Sequence, residues 1–94
     1  MNKEILKIRI KLDKLDDKLL SLIKKRTSLV DQVLINKKYK KEIIDRKRIK
    51  LILRNIQRKS IKKGIDTKIS YRVWKNMIYA FIDYEFRNFK KQKK

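Results

Sequence analysis

The sequence predicts an all-α protein, three helices per chain with a very long first helix, paired with a second copy of itself. Three observations lead there. The apolar residues Ile5, Ile8, Leu12, Leu15, Leu19, Leu22, Leu29 and Val33 step by three and four, the seam of a helix that packs along its whole length, and only Arg26 interrupts it. The chain has no Pro and one Gly, with 43% charged and 41% apolar residues, a mixture that favours long helices over sheets. Finally, a first helix of ~35 residues would span ~50 Å, whereas a compact chain of this length has a radius of gyration of only ~12 Å. The remaining residues cannot wrap such a helix, so a partner chain is implied, most simply a twofold homodimer with first helices side by side.

The elements follow in order within a single domain, 1–94. Helix 1 is expected over 1–38, with Asp13, Asp16 and Asp17 among Lys11, Lys14 and Lys18 forming a solvated, salt-laced face. Periodicity then fails without Gly or Pro across Lys38 to Ile44, which reads as a loop. Asp45 stands before a new apolar pattern (Ile49, Ile52, Leu53, Ile56) and is a fitting N-cap or first-turn acid for helix 2, expected over 45–63. Gly64, the single glycine, fits the left-handed position that ends it. Asp66 caps helix 3, expected over 66–88, whose apolar face runs Ile69, Val73, Met77, Ala80 or Phe81, and Tyr84, with Trp74 and Ile78 alongside. A frayed basic tail over 89–94 is expected to follow.

Composition also excludes. Without Cys or His there are no disulfides, thiolate chemistry, usual zinc sites or His-based triads. No run of eighteen apolar residues occurs and the N-terminus lacks a signal-peptide core, so the expectation is a soluble cytoplasmic protein without a membrane partner. The net charge of +20 invites a nucleic-acid reading. Basic residues are nonetheless spread over all the helices, and a chain-wide compositional bias toward Lys and Ile accounts for them as well. Nucleic acid is therefore not the expected main partner, and an anionic small molecule suits the charge at least as well.

Charged residues on apolar faces locate a candidate site. Arg26 occupies a seam position where Leu would be expected, and a guanidinium there needs an anion to offset its desolvation. A plain structural answer is an ion pair with Glu85, which falls on or beside the apolar face of helix 3. Lys37 lies eleven residues after Arg26 and projects from the same side. Their Cα atoms would be ~16 Å apart, a gap two long side chains reduce to the size of a small dianion. Arg48 opens helix 2 three residues after Asp45. Arg9 is ~25 Å from Arg26 along a straight helix, too far to share a pocket within one chain. If two first helices pack antiparallel about a dyad near Leu19–Leu20, Arg9 of one chain meets the Arg26–Lys37 stretch of the other, and each dimer has two composite sites.

The run Ile8-Arg9-x-x-Leu12-Asp13-x-Leu15-Asp16-x-x-Leu19-Leu20-x-Leu22-Ile23-x-x-Arg26 resembles the opening helix of the AroQ-class, all-helical chorismate mutases. Lys37 follows at the family's interval. Asp45-x-x-Arg48 with Ile52-Leu53 resembles the start of its second helix, and Gly64-Ile65-Asp66 and Val73-Trp74-Lys75-x-Met77-Ile78 its second turn and third helix. The likeness spans about residues 5–86. It implies an intertwined homodimer that converts chorismate to prephenate without a cofactor. By the same resemblance, Arg26 and Arg9 of the partner subunit would hold substrate carboxylates, and Lys37 would bond a carboxylate and the ether oxygen of the breaking bond. Arg48 would support the pocket, Asp45 would present its backbone near the ring hydroxyl, and Glu85 would contact the ether oxygen. Glu85 must then carry a proton, so activity is expected to fall toward alkaline pH.

The implied chemistry suits the composition. A Claisen rearrangement is unimolecular and needs no nucleophile or proton transfer. The protein has to hold a dianion in a compact conformer and stabilise charge growing on the ether oxygen. Arg forks match carboxylates, and the point charge of Lys suits a single ether oxygen. Two positions depart from the family pattern. Ile49 stands where a Glu usually binds the ring hydroxyl, and Phe81 where a small polar residue is usual. The expected consequences are a hydroxyl without a carboxylate partner and a narrower pocket. Two alternatives therefore stay open: a non-catalytic basic helical dimer binding nucleic acid or a protein, and an isochorismate-pyruvate lyase.

Overall fold

A computed structural model describes residues 2–92. Its three α-helices are α1 (Lys3–Ile35), α2 (Arg46–Lys63) and α3 (Thr67–Gln92), with a 3₁₀ turn at Lys40–Glu42, and there is no strand among the described residues. Of the expected first helix and tail, position 1 and positions 93 and 94 lie outside the described residues.

Helix α1 begins on Asn2, whose Oδ1 accepts from the Ile5 N–H at 2.8 Å. It ends earlier than the 1–38 expected, because the last turn tightens: the N–H groups of Asn36 and Lys37 donate to the Val33 and Leu34 carbonyls, an i→i−3 pattern that stops propagation. Lys37 thus leaves the helix rather than extending it. The segment read as loop contains an ordered turn. One Glu42 carboxylate oxygen accepts from the N–H groups of Lys38 and Tyr39, at 2.6 and 3.0 Å, and closes the 3₁₀ turn that delivers buried Ile43 to the core.

Asp45 caps α2 through Oδ1, which accepts from the Arg48 N–H at 3.0 Å. Gly64 ends it at φ 70°, ψ 29°, the left-handed conformation that favours glycine, and Ile65 N–H reaches back to the Ser60 carbonyl at 2.9 Å. Asp66 then caps α3, its Oδ1 accepting from Lys68 and Ile69 N–H. The two helices close on a buried polar contact, the Ser60 and Ser70 hydroxyls hydrogen-bonded at 2.7 Å. Small residues there let the backbones approach. The expected face holds from Trp74 onward, with Trp74, Met77, Phe81 and Tyr84 half-buried and Ile78 buried, whereas Ile69 and Val73 in the first turns point to solvent. Helix α3 also runs past the expected end at 88, to Gln92. An exposed Arg87–Asp83 ion pair at 2.8 Å and a bond from Asn88 Nδ2 to the Tyr84 carbonyl lie just before the extra turn, which opens on half-buried Phe89.

Helix α3 packs against both α1 and α2, and the core is small. Leu34, Ile43 and Ile78 are the buried apolar residues among those described. Along α1 every Ile and Leu from Ile5 to Ile23 is between 40% and 64% exposed, so the seam that predicted this helix is uncovered in the single chain. None of the described helices is long and apolar enough to cross a membrane.

Candidate active site

The three helices and the connecting turn line a cavity of about 490 Å³ against the middle of α3, a size that suits a small organic ligand. Arg26 enters from α1, Lys37 from the turn after it, Asp45 and Arg48 from the first turn of α2, and Glu85 from α3. Five of the six residues expected at the site therefore line a single cavity. Arg9 does not line it. It lies on the exposed stretch of α1, seventeen residues before Arg26 and so ~25 Å along the helix.

The cavity is apolar apart from these groups. Val30, Val33, Ile43, Ile52, Ile78 and Ile82 form much of its wall. Lys37 Nζ donates to Glu85 Oε1 at 2.9 Å, and Glu85 is only 7% exposed. This corrects the expected pairing: Glu85 bonds Lys37 and not Arg26. The turn that takes Lys37 out of α1 brings its ammonium over to α3, where Glu85 is the near carboxylate.

Arg26 has a different neighbour. Its Cζ lies 4.6 Å from the Phe81 ring centroid, inside the range in which an aromatic face attracts a cation. Burial, then the nearby Arg48 guanidinium, hold Arg26 below the ordinary arginine range, and Glu85 opposes them. Among the described residues no carboxylate forms an ion pair with either guanidinium. Three cations thus share a largely apolar cavity with Glu85, already paired, and with Asp45, whose Oδ1 is engaged in capping. Such an arrangement favours an anion with more than one negative group.

Phe81 and Ile49 both line the cavity, so the two departures from the expected polar pattern fall within it. The role of Phe81 under Arg26 is the feature the sequence did not disclose. Its expected effect was to narrow the pocket, and what it also does is carry a guanidinium. No spacing rule links a residue of α1 to one fifty-five positions later. No group of acids that could hold a metal ion occurs among the described residues.

Comparison with known proteins gives one match. The model of the family described as chorismate mutase type II covers residues 8–86 of the 94. No curated protein and no solved structure matches the chain.

Proposed function

We propose that this chain, which belongs to the chorismate mutase type II family, rearranges chorismate to prephenate, in the cytoplasm, for Phe and Tyr biosynthesis. The observation that carries the reading is the charge imbalance of the cavity. Arg26, Lys37 and Arg48 converge on an apolar volume with two carboxylates, Glu85 bonded to Lys37 and Asp45 capping α2, so neither guanidinium has an ion-pair partner among the described residues. A dicarboxylate supplies the missing negative charge.

The reaction breaks one C–O bond and forms one C–C bond within a single molecule. The protein's contribution is to select the folded conformer and to stabilise charge on the departing oxygen. In this reading Arg26 forks onto one carboxylate and Arg48 supports the same end. Lys37 and Glu85 already face each other at 2.9 Å, and the ether oxygen enters between them. Lys37 then stabilises its growing charge, and Glu85 orients the Lys37 ammonium beside it. Arg9 of the partner subunit completes the site, and the uncovered seam of α1 supports the antiparallel dimer that this requires.

The test is the loss of chorismate absorbance with purified protein, run beside Arg26→Ala. Turnover in the parent that collapses in the variant is expected, and no turnover in the parent sinks the enzyme reading. Ile49 and Phe81 favour a second reading, a relative that binds the dianion without turning it over, because both line the cavity and neither side chain offers a ring hydroxyl a polar partner. Saturable chorismate binding without prephenate would select it. Pyruvate released from isochorismate would instead select the lyase, and binding to DNA or RNA with steep salt dependence the nucleic-acid alternative.

A further inference from the structure

Arg26 makes no ion pair or hydrogen bond with the described residues, yet it is half-buried and faces a second guanidinium. A long flexible side chain so placed needs something to hold it. The Phe81 ring lies 4.6 Å beneath its Cζ, and that ring is itself buttressed. Tyr84 meets Phe81 edge to face, centroids 6.4 Å apart and planes at 80°. Tyr84 Oη in turn donates to Asp31 Oδ1 at 2.7 Å. Asp31 belongs to α1, five residues beyond Arg26. The four side chains thus close a circuit: out from α1 at Asp31, through two residues of α3, and back to α1 at Arg26.

We propose that Asp31, Tyr84 and Phe81 form a clamp that fixes the Arg26 guanidinium in the orientation from which it takes a ligand carboxylate. Phe81 positions Arg26 through the face of its ring, which attracts the cation without using any of its N–H donors. A carboxylate in the place of Phe81 would consume those donors. An aliphatic side chain would leave the guanidinium free to swing toward solvent and away from Arg48. Tyr84 acts one step further out, and its bond to Asp31 sets the ring against which Phe81 rests. The Tyr84 hydroxyl is held in its protonated form by that same bond, its proton affinity raised chiefly by Asp31. None of the three touches substrate as a proton carrier or nucleophile; they are positioning residues.

The identity of the ligand rests on the chorismate reading, but the clamp does not, and the experiment separates the two. Steady-state kinetics on chorismate are measured for Phe81→Leu, Phe81→Tyr and Tyr84→Phe, each in the parent and in the Arg26→Ala background. A clamp that preorganises a binding group acts on ground state and transition state alike. Phe81→Leu should therefore raise KM about tenfold with kcat within about twofold. Phe81→Tyr keeps the aromatic face and should restore KM to near the parent value, and Tyr84→Phe should raise it about threefold. In the Arg26→Ala background Phe81→Leu should add nothing. An unchanged KM in Phe81→Leu, or an equal loss with and without Arg26, would overturn the proposal. A lower kcat at constant KM would do the same, since it reports lost fold. If the parent shows no turnover, the functional reading fails and the clamp is read by NMR. The Arg26 Nε–Hε resonance should lie upfield in the parent and return to the ordinary arginine position in Phe81→Leu. A resonance that does not move between the two would refute the clamp.

Discussion

A single misfit residue on a regular seam pointed to the cavity. Arg26 was legible because everything around it keeps the three-four step, so a charge there had to be explained. Its removal should lower kcat/KM by ~10 to 10²-fold, the loss expected when a charge-assisted bond worth ~1.5–3 kcal/mol disappears, and Arg26→Lys should recover only part of it because an ammonium has no fork. Glu85→Gln tests the other end of the cavity. The amide removes the carboxylate partner of Lys37, so kcat/KM should change, and an unchanged value in Glu85→Gln would take Glu85 out of the site. Tyr84 gives a stability signature of its own. The Asp31 acceptor raises its proton affinity in the folded chain above the ordinary value of 10.0. The neutral hydroxyl therefore contributes stability in full below about pH 10, and that contribution is lost as pH rises through the higher folded value. Tyr84→Phe should cost ~1 kcal/mol at neutral pH, for a partly exposed bond, and remove this share of the alkaline decline in melting midpoints. Lys37 and Glu85 both line the cavity as expected, but their pairing was not legible. It depends on where α1 stops, and two i→i−3 bonds decide that.

At the scale of elements, caps were more legible than faces. Asp45, Gly64 and Asp66 carry local chemistry, a side-chain acceptor or a permitted positive φ, and each sits where short-range reasoning puts it. Gly64→Ala isolates that effect. No atom lies within 4 Å of where its Cβ would be, so the substitution meets no clash and only the left-handed backbone opposes it. A loss of ~1 kcal/mol is expected, read as a lower denaturation midpoint with an unchanged slope. The face of α3 was less legible in its first turns, where Ser70 and not Ile69 or Val73 meets α2 through the Ser60–Ser70 contact. Serines carry no signal of burial, and only the approach of two backbones gives them one. The turn at Lys40–Glu42 was obscured for a related reason. Its organiser is a carboxylate turned onto two N–H groups, which leaves no trace in apolar spacing.

The whole molecule measures 54 × 29 × 17 Å with a radius of gyration of 16.8 Å, well above the ~12 Å of a compact chain this long. The mismatch anticipated from helix length alone is thus present in the folded chain, and half-exposed Ile and Leu along α1 show which surface carries it. In the proposed dimer, an antiparallel pairing of two such helices would cover that surface and would bring Arg9 of the partner subunit beside the cavity that holds Arg26. Mixing variants tests both halves of this arrangement at once. Arg9→Ala and Arg26→Ala homodimers should each be nearly inactive, because every site in either lacks one cation. In a mixed dimer the two lesions fall together in one site and leave the other whole. After equal mixing and subunit exchange half of the dimers are mixed, each with one of its two sites restored, so activity should return to about a quarter of the parent level. The recovery should need a brief exposure to denaturant or dilution that lets subunits exchange. Mixtures no more active than their components would place Arg9 outside the site, and with it the inference that two chains build each one.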